Sequence, residues 1–395
     1  MNTIFARGMS RATELTRSGR LGEATALIQS LLKPTAQPGS RDPDLRSEDD
    51  GTILIEGSFT RMGETTAPQA ATRSDPPAAG SFSRPRRTGL RETLDTIAAG
   101  GMPRRGEVTP RPVDVPEGAR FLSLSHHGTG RRDYRLYVPA RQPARPMPLI
   151  VMLHGCTQSP EDFAIGTGMN ALAEEFGCLV AWPAQPQGAN AQKCWNWYRP
   201  EDQGKGRGEP ALIAGIVADI LRDHPADPDR VYAAGLSAGG AAAAILGASY
   251  PETFAAVGIH SGLPAGGARD VPSAFAAMRG GSRGNARAVT VPAIVFHGLA
   301  DTTVHPGNGE AVVAQALRAR SDLSRVCTSG VSDGGHTYRQ TRHEDVSGRS
   351  IAEHWEIDGA GHAWAGGQAG GSYTDPKGPD ASREMLRFFL QHRRL

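Results

Sequence analysis

Two short segments with alternating hydrophobic and polar residues begin the part of the chain that predicts regular structure. They cover residues 121–124 and 134–138, and a polar connection that contains glycine joins them. Alternation with a period of two is typical of strands that are buried on one face. We therefore predict an antiparallel strand pair here.

Continuous apolar runs of strand length follow this pair. They lie at residues 148–153, 178–182, 231–234, 254–259, 293–296 and 354–357. Helical patterns separate them, at residues 169–176, 210–222, 238–249, 309–320 and 382–392. A strand buried on both faces requires a continuous apolar run. The alternation of such strands with helices indicates a mostly parallel sheet with helices on both faces. The sequence therefore predicts an α/β fold, with functional groups beyond the carboxyl ends of the strands.

The first 116 residues have a different pattern. Residues 1–34 carry an apolar spacing that suits amphipathic helices. Residues 35–116 are rich in Pro, Gly, Ser, Thr, Arg and Asp and have little apolar surface to bury. We predict a helical segment at 1–34, a mostly disordered linker at 35–116 and one folded domain at 117–395.

Charge and hydropathy narrow the class of protein. The net charge of +2 lacks the basic excess typical of proteins that bind nucleic acids or anionic membranes. No apolar run in the sequence reaches membrane-spanning length, and the first residues lack the pattern of a secretory signal. We expect a soluble protein with no membrane span, and favour a cytoplasmic location over an extracellular one. The oligomeric state stays open.

A serine flanked by glycines stands between a predicted strand and a predicted helix. Residues 235–239 read Gly-Leu-Ser-Ala-Gly, the Gly-x-Ser-x-Gly pattern. In a strand–turn–helix context this pattern forms a nucleophile elbow, which exposes the serine hydroxyl at the top of a sheet. The helix after it directs free amides and a positive dipole end toward the same point. We predict that Ser237 is a nucleophile in acyl transfer; the alternative is a glycine-rich loop.

A serine hydroxyl needs a base to take its proton and a carboxylate to orient that base. With this elbow, the chain order is serine, then acid, then histidine. Asp301 follows the predicted strand at 293–296, and His362 lies in a glycine-rich loop after the predicted strand at 354–357. We therefore predict Asp301 as the acid and His362 as the base.

Other side chains remain alternatives. The rival bases are His260, His305, His336 and His343, and the fallback acids are Asp333 and Asp358. The first two histidines lie before the acid or on its own loop. The other two lie in a polar region with no predicted strand before it, so we expect them to be exposed. The alternative interpretation of Asp301 is a helix or turn cap.

An oxyanion hole requires two amide donors. One is expected from Ala238, directly after the nucleophile, and the other from the loop after the third strand, which reads HGCTQ at 154–158. Gly155 permits the backbone to turn its amides inward, so we predict Cys156 or Thr157 as the second donor. His154 is expected to form structural hydrogen bonds rather than to act in catalysis.

The most aromatic stretch of the chain reads CWNWY at 194–198. Trp195 and Trp197 either wall an acyl pocket or belong to the core, and the sequence leaves both interpretations open. Trp364 joins them among the residues predicted to bind substrate.

The cysteine pattern predicts no metal site. Cys156, Cys178, Cys194 and Cys327 form neither CxxC pairs nor the spacing of a structural zinc site. They are free thiols, or one pair is oxidised. Because Cys156 and Cys194 both approach the predicted site, we hypothesise a disulfide between them.

Several motifs in order carry a resemblance to a known family. They read HGCTQ at 154–158, KCWNWY at 193–198, RVYAAGLSAGG at 230–240, DTTVHPGN at 301–308, GAGHAWAGG at 359–367 and SYTDPKGPDAS at 372–382. Together they resemble the polyhydroxybutyrate (PHB) depolymerase family of esterases, over about residues 121–395. The resemblance implies an α/β-hydrolase fold and a catalytic domain at 117–395. By position it implies a triad of Ser237, Asp301 and His362 and an oxyanion hole formed by the amides of Cys156 and Ala238.

The resemblance also implies an activity. A serine esterase of this family hydrolyses 3-hydroxyalkanoate esters or other short acyl esters and needs no metal or organic cofactor. Secreted polymer-degrading members carry a signal peptide and a C-terminal substrate-binding domain, and we expect neither here. Soluble oligomers or small esters are therefore the expected substrates. The alternatives are a feruloyl or acetyl esterase for plant-wall acyl groups, a peptidase on the same fold, and a non-catalytic protein that binds polymer granules.

Overall fold

The computed structural model describes residues 112–281, 289–318 and 320–394. The predicted helical segment at 1–34 and all but the last five residues of the predicted linker at 35–116 lie outside the described residues. Among the helices within these ranges, none has the length and apolar character needed to cross a bilayer.

A ten-stranded sheet forms the centre of the described chain. Its strands are β1 Arg120–His126, β2 Arg132–Val138, β3 Met147–Leu153, β4 Leu179–Pro183, β5 Ala226–Leu236, β6 Ala256–His260, β7 Ala293–Gly298, β8 Ser324–Val331, β9 Thr337–Glu344 and β10 Ser350–Ile357. They lie in the order β1-β2-β4-β3-β5-β6-β7-β10-β9-β8. The six central strands, from β4 to β10 in this order, pair in parallel. At each edge two strands pair antiparallel.

Helices cover both faces of the sheet. They are α1 Pro160–Thr167, α2 Met169–Phe176, α3 Gly208–Asp223, α4 Ala238–Ser249, α5 Val271–Gly280, α6 Gly307–Leu317 and α7 Ala381–Leu390. Two short strands, β11 Trp364–Ala365 and β12 Thr374–Asp375, form a separate parallel pair.

The central strands divide their side chains between two hydrophobic clusters. In β3, Leu149, Val151 and Leu153 belong to the cluster that also contains residues of α3, α4, α5 and α6. Ile150 and Met152 belong to the cluster that contains residues of α1, α2 and α7. Successive side chains of a strand point to opposite faces, so a strand covered on both sides must be apolar at every position. The predicted α/β fold with helices on both faces is confirmed, as is the antiparallel pair β1–β2.

The expectation that no strand precedes His336 and His343 was wrong. Strand β8 precedes both residues, and His343 lies within β9. Both side chains are half-buried rather than exposed. Strand β8 forms one edge of the sheet, and most of its residues are exposed on either face. Neither an apolar run nor a clear alternation is therefore required there, and the hydrophobic pattern could not reveal the strand.

Candidate active site

Ser237 forms a one-residue turn between β5 and α4 and has φ 58° and ψ −117°. This backbone region is costly for a residue with a side chain. The flanking glycines make the turn sterically accessible. A Cβ at Gly235 would lie 2.4 Å from the carbonyl carbon of Gly239, and a Cβ at Gly239 would lie 2.0 Å from the Leu153 carbonyl oxygen. Ser237 therefore lies half-buried at the end of β5, where this strand packs closely against β3 and α4.

Two loops beyond the neighbouring strands β7 and β10 bring Asp301 and His362 together. The Ala300 amide donates to the Ala360 carbonyl at 3.0 Å. A Cβ at Gly298 would lie 2.4 Å from that same oxygen, so only glycine permits this close approach. As a result, His362 Nδ1 lies 2.7 Å from Asp301 Oδ2. The structure thus places the predicted acid and the predicted base in direct contact.

The Asp301 carboxylate is buried and strongly hydrogen-bonded. Its Oδ1 accepts the amides of Thr303 and Val304, both at 2.9 Å. Burial raises the pKa of Asp301, but the hydrogen bonds from His297 and His362 and the electrostatic attraction of the His362 ring lower it more, well below its ordinary value of 3.8. The carboxylate is therefore ionised at neutral pH. An ionised partner on Nδ1 holds that nitrogen protonated and leaves Nε2 as the acceptor.

The structure does not join the Ser237 hydroxyl to His362. Within the described residues, no hydrogen bond involves the Ser237 Oγ, although its backbone amide donates to the His260 carbonyl at 2.9 Å. Catalytic hydrogen bonds of this kind are often long without substrate and tighten only in the substrate complex. Ser237 follows β5, which is separated from β7 by a single strand, while His362 follows β10, the other neighbour of β7.

Two backbone amides are candidates for the oxyanion hole. Ala238 is the first residue of α4, so its N–H has no acceptor inside that helix. In the loop after β3, the Thr157 amide donates to the Gln192 carbonyl at 2.7 Å. Within the described chain, the Cys156 amide has no hydrogen-bond acceptor. Of the two sequence candidates for the second donor, Cys156 is thus the one with a free N–H.

A disulfide joins Cys156 to Cys194, with an S–S distance of 2.05 Å. The hypothesis of this pairing is confirmed, and Cys178 and Cys327 are free. The disulfide and the Thr157–Gln192 hydrogen bond attach the loop after β3 to residues 190–196.

The tryptophans predicted to bind substrate are all buried. Trp195 is 0% exposed, Trp197 7% and Trp364 1%. The indole N–H groups of Trp195 and Trp364 donate to the His154 carbonyl at 3.1 Å and to Ser382 Oγ at 3.0 Å. These positions favour the alternative in which the aromatic side chains belong to the core.

Two buried histidines at the strand ends have structural hydrogen bonds. His154 Nδ1 donates to the Gly155 carbonyl, and its Nε2 accepts the Gln185 amide. His260 Nε2 accepts the Ala365 amide at 2.9 Å. Burial lowers the pKa of His154 to about 4 and that of His260 to about 3. Both rings are therefore neutral at neutral pH and have their acceptor nitrogens occupied.

The remaining alternatives lie apart from this arrangement. His305 is exposed, and its ring accepts the Gly307 amide. Asp358 is exposed and accepts the Thr337 hydroxyl at 2.7 Å, while Asp333 is exposed in the turn between β8 and β9.

Sequence reasoning missed Tyr373, which is 41% exposed. Its Oη lies 3.3 Å from Thr157 Oγ1, next to the free Cys156 amide. Its carbonyl accepts the Trp364 amide at 2.7 Å, two residues beyond His362. Tyr373 thus contacts the loop after β3 and the loop after β10 at once. The backbone of Tyr373 has a positive φ of 52°, but a sequence alone does not reveal this conformation.

Within the described ranges, no group of three or more His, Cys, Asp or Glu side chains has an arrangement that holds a metal ion.

Comparison with known proteins places the chain in a family. The family profile described as Esterase PHB depolymerase matches residues 132–341. Poly(3-hydroxyalkanoate) depolymerase C of Paucimonas lemoignei is 32% identical over 258 residues, which are 61% of this chain and 61% of that protein. Feruloyl esterase B of Thermothelomyces thermophilus is 33% identical over 224 residues, which are 52% of this chain and 76% of that protein.

A solved structure supports the fold. The acetyl xylan esterase from Aspergillus awamori superposes with a TM-score of 0.53 at 19% identity, over 69% of this chain and 99% of that one. At this identity the likeness concerns the fold alone. The matched part of the chain spans less than two thirds of the Paucimonas depolymerase.

Proposed function

Because the chain belongs to the PHB depolymerase family of esterases, we propose that it is a serine carboxylesterase. Its proposed substrates are 3-hydroxyalkanoate oligomers of the PHB type or other short acyl esters. The hydrogen bond between His362 Nδ1 and Asp301 Oδ2 carries this proposal, since it joins two residues 61 positions apart. It lies at the same end of the sheet as the strained Ser237.

In the proposed mechanism, His362 Nε2 takes the proton of the Ser237 hydroxyl as its oxygen attacks the ester carbonyl. Asp301 holds the imidazole in the tautomer that leaves Nε2 free and stabilises the imidazolium that forms. The free amides of Cys156 and Ala238 stabilise the negative charge on the carbonyl oxygen. His362 then protonates the leaving alcohol, and water hydrolyses the acyl-enzyme by the same steps. No step requires a metal or an organic cofactor.

Ser237→Ala tests this mechanism. We expect esterase activity on p-nitrophenyl butyrate to fall by roughly three to six orders of magnitude, with an unchanged circular dichroism spectrum. The wild type should be labelled by a fluorophosphonate probe at Ser237, and the variant should not. Activity in the variant within tenfold of the wild type would refute the nucleophile assignment. An unlabelled and inactive wild type would favour a non-catalytic, granule-binding protein.

A second candidate is an esterase for plant-wall acyl groups. The similarity to feruloyl esterase B of Thermothelomyces thermophilus supports this candidate, because the chain covers 76% of that protein at 33% identity. Rates on hydroxybutyrate oligomers, methyl ferulate and acetylated xylan separate the two. A methyl ferulate kcat/KM that exceeds the oligomer value tenfold would favour the second candidate.

The disulfide bears on where the protein works. Disulfides persist in oxidising compartments and are rare in the cytoplasm of mesophiles. The Cys156–Cys194 bond thus supports an extracytoplasmic location over the cytoplasmic one favoured by the sequence. Thiol labelling of protein from fractionated cells tests this point.

A further inference from the structure

Six buried polar side chains form a connected network behind the candidate oxyanion loop. They are Arg132, His154, Gln185, Asn196, Asp202 and Glu209, each at most 7% exposed. We call them the buried polar network. Buried charged groups are costly unless they are fully hydrogen-bonded. The proposed mechanism uses none of the six side chains, so it does not explain why polar groups are buried here.

Glu209, in the first turn of α3, is the acceptor at the centre of this network. Its Oε2 accepts the Asn196 backbone amide at 2.7 Å. Its Oε1 accepts the Asn196 side-chain amide at 2.7 Å and the Gln185 side-chain amide. The Glu209 amide itself donates to Asp202 Oδ1 at 2.8 Å. The carboxylate therefore receives three donors and fixes both ends of the Asn196 residue.

These contacts extend into the segment 190–196. The Gln185 side-chain amide also donates to the Cys194 carbonyl at 2.9 Å. Asn196 Oδ1 accepts the Asn190 side-chain amide at 3.0 Å. In turn, Asn190 Oδ1 accepts the backbone amides of Gln192 and Cys194, at 3.0 and 3.3 Å. The segment is thus held from one side by Glu209 and Gln185 and from within by Asn190.

The same segment holds the candidate oxyanion loop. The Gln192 carbonyl accepts the Thr157 amide, and the Cys194 sulfur bonds to that of Cys156. Because the Thr157 N–H is already hydrogen-bonded to Gln192, the Cys156 N–H is the amide that remains free. Oxyanion donors act through their fixed orientation. If the loop that carries such a donor becomes mobile, transition-state stabilisation decreases while substrate binding changes little.

We propose that Glu209 is a positioning residue, which acts through Asn196, Gln185 and Cys194 to set the direction of the Cys156 amide. This inference rests on the proposed esterase function and adds a residue remote from the reacting atoms. Burial and the nearby Asp202 charge raise the pKa of Glu209 more than its donors lower it. Glu209 thus lies in an environment that disfavours its charged form, a feature that is more common at functional sites than elsewhere.

Glu209→Gln is the test, because it keeps the shape and replaces one acceptor oxygen by a donor. We expect kcat on p-nitrophenyl butyrate to fall at least tenfold while KM changes less than twofold. The matched control is Glu353→Gln. Glu353 is likewise buried and accepts side-chain donors from Gln340 and Arg387, but it lies in β10. Its substitution should lower thermal stability comparably and change kcat less than twofold.

A second variant guards against misfolding of the first. Asn190→Ala removes the contacts to the Gln192 and Cys194 amides without disturbing a buried charge, and the same selective loss of kcat is expected. Wild-type kcat in both variants, a rise in KM alone, or an equal loss of kcat in Glu353→Gln would overturn the proposal. An inactive wild type that no fluorophosphonate labels would instead refute the esterase function itself.

Discussion

Backbone strain is concentrated at the candidate active site. Six described residues other than glycine have positive φ: Thr157, Lys193, Ser237, Ser261, Asp322 and Tyr373. Ser237 and Ser261 directly follow β5 and β6, while Thr157, Lys193 and Tyr373 belong to the loops joined by the disulfide and the Thr157–Tyr373 contact. Each such conformation costs about 1–3 kcal/mol and persists only when its surroundings enforce it. The hydrogen bonds around these loops supply that enforcement.

Tyr373 is expected to form part of the wall that contacts the ester. Its ring is exposed beside the loop that carries the Cys156 amide. Tyr373→Ala should raise KM for p-nitrophenyl butyrate about fivefold to tenfold, because it removes aromatic contact surface. Tyr373→Phe keeps the ring and should change KM less than twofold. Steady-state kinetics over acyl chains of two to eight carbons provide the measurement.

The matched control for this prediction is Val331→Ala, an exposed apolar side chain on the edge strand β8. It should leave KM unchanged. If Tyr373→Ala keeps the wild-type KM at every chain length, the ring does not contact the substrate.

The sequence placed Ser237, Asp301 and His362 correctly after their strands, because parallel topology delivers strand ends to one edge. It did not reveal Tyr373, whose partner Thr157 lies 216 residues earlier. No periodic pattern encodes a contact between two loops at this separation. For the same reason, the local sequence does not decide between core and pocket for Trp195 and Trp197, whose burial depends on the tertiary fold.

At the level of elements, the Cys156–Cys194 disulfide does most to shape the loop that carries the candidate oxyanion donor. The segment between Cys156 and Cys194 contains α1, α2 and β4, and the disulfide closes it into a loop of sequence separation 38. The strands that carry the candidate residues were predictable from apolar runs. The polar strands β8 and β9 were not. Strand β8 forms an exposed sheet edge that imposes no hydrophobic pattern, and β9 beside it buries polar residues such as Gln340 and Thr341.

Removal of the disulfide is expected to affect stability and activity together. A closed loop of this length stabilises a fold by about 4 kcal/mol in the chain-entropy model. The variant Cys156→Ser with Cys194→Ser should therefore unfold at a lower guanidinium concentration and show reduced kcat. The matched control is Cys327→Ser, because Cys327 is a free, exposed cysteine. A double variant with wild-type stability and wild-type kcat would contradict this role.

For the whole molecule, buried neutral histidines should set the response to acid. Burial is the main cause that lowers the pKa of four of them, to about 4 for His154, His354 and His392 and to about 3 for His260. In the unfolded chain these rings titrate near 6.5. Near pH 5, unfolding therefore takes up roughly three to four protons. For each of these protons, the free energy of unfolding falls by about 1.4 kcal/mol when the pH is lowered by one unit.

Stability should thus fall steeply between about pH 6.5 and pH 4 and change little between pH 7 and 8. Guanidinium unfolding at pH 7.5, 6.5 and 5.5 measures this, and the midpoint should drop most over the last interval. His305→Gln, at an exposed ring, should leave the profile unaltered. Equal free energies of unfolding at pH 7.5 and 5.5 would show that the buried rings do not govern the acid response.

The direction of the strands also decides at which end of the sheet Arg120 and Arg394 lie. Strand β1 runs in the same direction as β4, so Arg120 lies at the end of the sheet opposite Ser237. At the other terminus, the Arg394 amide donates to the Asp229 carbonyl, near the start of β5. Both residues therefore lie at the end of the sheet opposite the Ser237 turn. A protein immobilised on a bead through either of these ends would turn the candidate active site away from the bead, toward the surrounding solution.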